Sequence, residues 1–369
     1  MKSILTILTL ALGCGFLSAG SPVRANQIMR QYDQAYLQWI NDVRTAPTMA
    51  VKNKLWEQRP DAGEAGRRVW EEIRENLEEA WTLDPAGWLL RESADFASTP
   101  PPVLVRGKRM FSPAATIREA VRQHHLQSPK VGPYCVSLTH VEDPKAMALL
   151  ELIEKVNPSE AVKGAAALAQ AILHRRLGDD KVFMGKRQAN LVTAIKAPDL
   201  TVGRTTTQAI IKDEIFRMSN LTVGREAPDF PGVEVDLEKS KLSDYRGKAV
   251  VLFFWHALMP AHDESLALFR RYQEEFQGKE IEIIGINLDN PLTLRDHIGK
   301  GRVTWRNFTD STQKISKLYR VERWPRVYVL DHLGKIQYRG EPGEFVKLYS
   351  LDLAKQAAEA KAASGNPGE

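Results

Sequence analysis

The sequence predicts an all-α N-terminal domain followed by an α/β domain, a central mixed sheet flanked by helices. Three observations predict it. Up to about residue 220 the apolar residues recur at helical spacing. From Val223 onward short apolar runs alternate with amphipathic segments. AVVLFFW at 249–255 is wholly apolar and EIEIIGINL at 280–288 is mainly so, as in strands covered on both faces. A chain of 369 residues suits two domains. It is 43% hydrophobic and 26% charged, an ordinary globular composition. The net charge of +5 is spread without a long basic run, which argues against nucleic-acid binding.

The first element is a targeting segment over residues 1–25. Lys2 supplies the positive end and Ile4–Gly13 a short apolar stretch, with small residues and possible cleavage after Gly20 or Ala25. The apolar stretch is too short for a comfortable membrane span, so it predicts export to a bacterial periplasm or cell envelope. Cys14 in ALGC offers a lipoprotein alternative, although Ala11 stands where such signals carry Leu. Membrane contact is expected only if Cys14 is lipidated. The chain has two cysteines, so loss of Cys14 with the signal leaves Cys135 alone and no internal disulfide.

Residues 26–220 form the helical domain. Val69, Trp70, Ile73, Leu77 and Trp81 share one helical face opposite polar neighbours. Asp143 followed by Pro144 marks the start of a helix over 144–156, and Asn157 the start of another over 158–177. Residues 178–204 are polar with several Gly and Lys and read as a long loop, before a last helix near 205–219.

The α/β domain spans 221–358. After the first strand comes a helix from about Pro260 to Phe276, then the second strand and a helix near 291–300. VTWRNF, a helix near 312–320, RVYVLD, KIQYRG and a C-terminal helix complete it. The tail, 359–369, is expected to be disordered.

Four stretches of this domain carry a resemblance: VGREAPDF at 223–230, LSDYRGKAVVLFFW at 242–255, RWPRVYVLD at 323–331 and GKIQYRGEPG at 334–343. In order and spacing they resemble the thioredoxin-like redoxins, both TlpA-type thiol–disulfide oxidoreductases and the alkyl-hydroperoxide-reductase/thiol-specific-antioxidant group. The resemblance implies a thioredoxin fold whose active site is Cys-x-x-Cys at the start of the fold's first helix. There the helix end favours a thiolate, which attacks, and a second cysteine one turn on resolves the mixed disulfide. Carried onto this chain, those positions are Met259 and His262, with Pro260 and Ala261 between them. A thioether has no ionisable proton and an imidazole has no sulfur. No cysteine follows Cys135. Trp324-Pro325 matches the family's cis-proline loop, which lies beside the active cysteines and helps bind substrate peptide.

Three functional readings follow. The first is a binding module, with an unknown protein or peptide held between residues 256–262 and Trp324-Pro325 and no cofactor. Trp255 and Trp305 are candidates to line the same groove, and Arg323 and Arg326 could contact an acidic ligand, although solvated charge explains them equally. The second is an enzyme: oxidoreductase or peroxidase activity through Cys135, with His140 to help ionise it, or through a partner's cysteine. The third is copper binding by His256, Met259 and His262, two imidazoles and a thioether. Met259 is also a candidate for reversible oxidation. His124, His125 and His174 have no partners at metal spacing and read as surface or packing residues.

Overall fold

The structure is a computed structural model that describes residues 20–364 apart from 47, 101–103, 106, 107, 110, 236, 237 and 260. The expected targeting segment as far as residue 19, with Cys14, lies outside the described residues, as does Pro260. Among the described residues no helix is long and apolar enough to cross a membrane.

The chain divides into two compact units. One comprises residues up to Thr45, Gln58–Gln170 and Lys196–Arg204; the other comprises Ala46–Glu57, Ala171–Ile195 and Thr205 onward. The division therefore departs from a single boundary at 220/221. Two helices ahead of that point, Lys181–Lys196 and Thr207–Asn220, lie largely or wholly in the second unit.

The first unit is largely helical rather than all-α: two-residue strands stand at Leu104–Val105, Lys108–Arg109 and Thr201–Val202. Ala62–Ile73 starts at Asp61, whose carboxylate accepts from the Glu64 amide at 2.9 Å. It buries Val69 and Ile73, then closes at Arg74, so Leu77 reaches the core from the following turn rather than along a continuing helix. Ala146–Val156 and Glu160–Leu177 each begin two residues later than the capping signals place them, and Lys145 rather than Asp143 is the N-cap of the first. Asp143 accepts from the Lys145 amide, and Asn157 from the Ser159 amide.

In the second unit, residues 181–196 are a helix and not the loop expected from their polarity. Its buried residues are Arg187, Leu191 and Ala194, so a charged side chain occupies most of the inward face. Burial is possible because Arg187 donates to Asp179 at 3.1 Å, and Glu214 lies 3.9 Å away. Asp179 also accepts two bonds from Arg339, at 2.7 and 2.9 Å.

The sheet has five strands: β1 Ala249–Trp255, β2 Ile281–Asn287, β3 Arg306–Thr309, β4 Arg326–Leu330 and β5 Ile336–Gly340, in the order β5-β4-β1-β2-β3. β1, β2 and β3 run parallel; β4 is antiparallel to β1 and to β5. This is the mixed sheet expected. The helices are α1 His262–Glu275, α2 Pro291–Gly299, α3 Lys314–Leu318 and α4 Glu344–Ser364. α4 continues beyond 358 to Ser364, so residues 359–363 are helical where a disordered tail was expected. Ala357 packs inward and anchors that stretch.

β1 is buried along its whole length because both faces of the sheet are covered. Val251, Phe253 and Trp255 share a core with Phe269, Leu294 and Val346. Val250, Leu252 and Phe254 pack with Ile284, Tyr319 and Tyr328 on the other side. Phe253 stacks on Phe269 with ring centroids 3.8 Å apart. Trp255 is fully buried and donates its indole N–H to Asn307 at 2.9 Å. The bond depends on Gly285 of β2, where a Cβ would come within 1.9 Å of Asn307 Oδ1.

Candidate functional site

The site lies at the C-terminal end of β1, where β1 leaves the sheet and the chain turns into α1. Asp289, 3% exposed, organises this turn by accepting from the Ala257 amide at 2.8 Å and from Asn287 Nδ2 at 3.1 Å. His256 Nδ1 accepts from the Leu258 amide at 3.2 Å. The turn is thus held by side chains at both ends.

α1 begins at His262, not at Pro260. Ala261, just before it, sits at φ 51°, ψ 37° in the left-handed region, where an α-helix cannot continue backwards. Met259 is therefore outside the first turn of the helix, and it is 4% exposed, packed with Trp255 and Leu266 in the core. A non-glycine residue at positive φ is uncommon and concentrates at functional turns.

Across the turn stands the β3–β4 connection. The Trp324–Pro325 peptide is cis. Arg326 pairs with Phe254 in the sheet, which brings Pro325 level with the end of β1. The Trp324 ring lies 5.3 Å from His256, edge to face, and 6.4 Å from Phe254. His256, Ala257, Leu258, Trp324 and Pro325 are all half-buried, and Arg323 is exposed beside them.

Of the expected copper ligands, Met259 is buried in the core, and His256 and His262 each pack against another ring. His256 turns toward Trp324, while the ring nearest His262 is His297 of α2, with centroids 5.2 Å apart. Among the described residues no group of three or more His, Cys, Asp or Glu is arranged for a metal ion. Burial pushes the His256 imidazole down to about 4; Asp289 opposes this, and Lys52 and His262 add to it. Burial, reinforced by His262, likewise holds His297 below the ordinary histidine range. Both rings are therefore neutral near pH 7.

The remaining sequence candidates are placed as follows. Trp255 and Trp305 are core residues, 0% and 5% exposed, so of the three tryptophans only Trp324 is partly exposed. Cys135 is fully buried, and that burial pushes its thiol up to about 12. His140 is exposed, with Nδ1 facing the Ser137 carbonyl at 3.2 Å, so it does not serve Cys135 as a base. His125 is buried against the Leu77 carbonyl at 2.7 Å, His124 is exposed, and His174 stacks on Phe183. His297 carried no signal in the sequence beyond its place in a helix. Only the fold brings it to His262.

Residues 223–339 match the model of the AhpC/TSA family. The thiol-disulfide oxidoreductase ResA of Bacillus anthracis is 25% identical over 136 residues, covering 37% of this chain and 76% of that protein. ResA of Geobacillus thermodenitrificans is 25% identical over 118 residues, covering 32% and 68%. Among solved structures, a thiol-disulfide oxidoreductase from Bacteroides fragilis is 27% identical with a TM-score of 0.32, covering 34% of this chain and 99% of that one. The thioredoxin domain of a thiol-disulfide oxidoreductase from Bacteroides vulgatus is 20% identical with a TM-score of 0.34, covering 37% and 99%.

Proposed function

We propose that the segment matching the AhpC/TSA family model, residues 223–339, keeps a thioredoxin-like redoxin scaffold but binds rather than reacts. In this reading Met259 and His262 occupy the places of the two redox cysteines, and an exported protein uses the groove beside Trp324-Pro325 to hold an extended peptide or a partner's loop. The observation that carries the reading is the pairing of a retained cis Trp324–Pro325 loop with a facing turn that has no thiol. The chemistry supports it. Thiol–disulfide exchange needs a thiolate that attacks and a thiol that resolves. The second unit contains no cysteine, and the buried Cys135 thiol does not ionise near neutral pH. Half-buried Trp324 supplies the flat apolar surface that peptide-binding grooves use.

Two measurements test it. The first is reduction of insulin disulfides with dithiothreitol as the electron source; the protein is expected to add nothing to the reductant's own rate. Turnover by the wild type refutes the reading. The second is selection of a displayed random-peptide library on the protein. Selected peptides are expected to lose at least about tenfold in affinity on Trp324→Ala, the size of a modest hot spot. Peptides indifferent to Trp324 also refute it.

A further inference from the structure

The pair formed by His262 and His297 has a feature that peptide binding does not use. His262 is nearly buried, its side chain 13% exposed, and His297 is 6% exposed. Their ring centroids are 5.2 Å apart and inclined at 65°, and each packs against Trp255 at 6.1 and 5.7 Å. His262 Nδ1 lies 3.1 Å from the Asp263 carboxylate. A carboxylate only accepts, so Nδ1 donates that bond, and in the neutral ring the lone pair then sits on Nε2. That Nε2 is buried without a partner among the described residues, and so is Nδ1 of His297. Two buried ring nitrogens on neighbouring imidazoles packed edge to face, neither bonded to the other, are costly to leave unsatisfied.

We propose that His262 Nε2 and His297 Nδ1 together bind a single Cu(I) ion. The Asp263–His262 contact is the carboxylate–histidine arrangement that fixes the tautomer of a metal ligand and raises its basicity. The donor number selects the metal. Zinc sites take three or four protein ligands, and no third His, Cys, Asp or Glu joins the pair among the described residues. Copper(I) is satisfied by few donors, imidazole among them. The N-terminus of α1 carries partial positive charge, which penalises a divalent ion more than a monovalent one. The inference does not rest on the peptide-binding reading; a failed copper titration leaves the peptide selection result standing.

The test uses the full chain with Cys14→Ser, so that its thiol does not compete, titrated anaerobically with Cu(I) against a chromogenic chelator. One equivalent is expected to bind, and Zn(II) is expected to bind more weakly. Asp263 is exposed, so Asp263→Asn leaves the fold intact; it is expected to lower Cu(I) affinity about 10–100-fold, the usual effect of removing such a carboxylate. His262→Ala and His297→Ala are each expected to abolish stoichiometric binding. X-ray absorption of the loaded protein without histidine substitutions is expected to show two imidazole ligands, which keeps the assignment testable should His297→Ala not fold. No binding, a preference for Zn(II), binding that survives loss of either histidine, or a spectrum without imidazole overturns the assignment.

Discussion

Asp179 is the residue whose loss the structure makes most costly. It is 6% exposed, and it accepts from Arg339 Nη2 at 2.7 Å, Arg339 Nε at 2.9 Å, Arg187 Nη1 at 3.1 Å and the Val223 amide at 3.2 Å. Asp179→Asn keeps the volume and one acceptor oxygen but removes the charge. Arg187, 0% exposed, is then left with Glu214 at 3.9 Å as its remaining carboxylate. Breaking one side of a buried ion pair costs about 3–5 kcal/mol, because the partner charge stays buried. Arg339 is 20% exposed and regains some hydration, and Asn retains a bond. The lower end, about 3 kcal/mol, is therefore expected. At about 2–4 °C per kcal/mol for a unit of this size, the melting temperature falls by roughly 6–12 °C. Urea unfolding followed by tryptophan fluorescence and circular dichroism measures it. A loss under about 1 kcal/mol would refute the claim that a buried charge network holds Lys181–Lys196 and the Val223 segment in the second unit.

Three further predictions follow from the site and the first unit. His256 has its imidazole pushed down to about 4 by burial, below the unfolded value near 6.5. The unfolded chain therefore takes up the proton first, and the stabilisation present above pH 6.5 is lost as pH falls toward 4. The expected slope is about 1.4 kcal/mol per pH unit across that window. His256→Gln should flatten the stability–pH curve there, and an unchanged curve would assign the slope to other groups. Ala261 sits at φ 51°, so Ala261→Gly is expected to raise stability by about 1 kcal/mol, read as a higher urea midpoint; a lower midpoint would show that the turn is not strained. Cys135, fully buried with its thiol pushed up to about 12, is expected to resist a disulfide-exchange reagent at pH 8 in native protein and to react at once in guanidinium. Rapid native labelling would contradict its burial.

The α/β domain was largely legible because its strands are written as apolar runs. AVVLFFW is β1 residue for residue, and the helix over 291–300 begins at Pro291 with Asn290 as its cap, accepting from the Thr293 amide at 3.0 Å. Where the sequence misled, charge had replaced apolar periodicity. Lys181–Lys196 reads as a loop because its inward face is led by Arg187, and no local pattern announces that Asp179, Glu214 and Arg339 will neutralise it. The start of α1 was misplaced for a different reason. Pro260 is a good first helical residue, but the left-handed Ala261 after it decides the boundary, and an alanine gives no warning of positive φ. The tryptophans divide on the same principle. Trp255 and Trp305 lie on or beside the sheet and are buried, while Trp324 sits on the connection beside the turn, where burial is partial.

Two different surfaces therefore meet at the end of β1, and their separation bears on function. His256 and Trp324 form one side, with their rings 5.3 Å apart and the cis Trp324–Pro325 peptide behind them. His262 and His297 form the other, His262 tilted against Trp255 and His297 edge-on to it. In a working dithiol site the residue at 259 and the residue at 262 would act as one unit, one sulfur attacking and the other resolving. Here Met259 is drawn into the core and His262 opens the helix beside His297, so the two positions face different neighbours. Placing cysteines at both tests whether that divergence is local. If Met259→Cys with His262→Cys reduces insulin, the turn can reclose around a disulfide, and side-chain identity alone separates this chain from its catalytic relatives. If the double variant folds but stays silent, Ala261 and the displaced start of α1 are the cause, because a thiol at 259 would lie outside the helix end that lowers its pKa. Adding Ala261→Gly to the silent variant then distinguishes the two: recovered turnover assigns the lost chemistry to the backbone of the turn, and continued silence assigns it to the burial of residue 259.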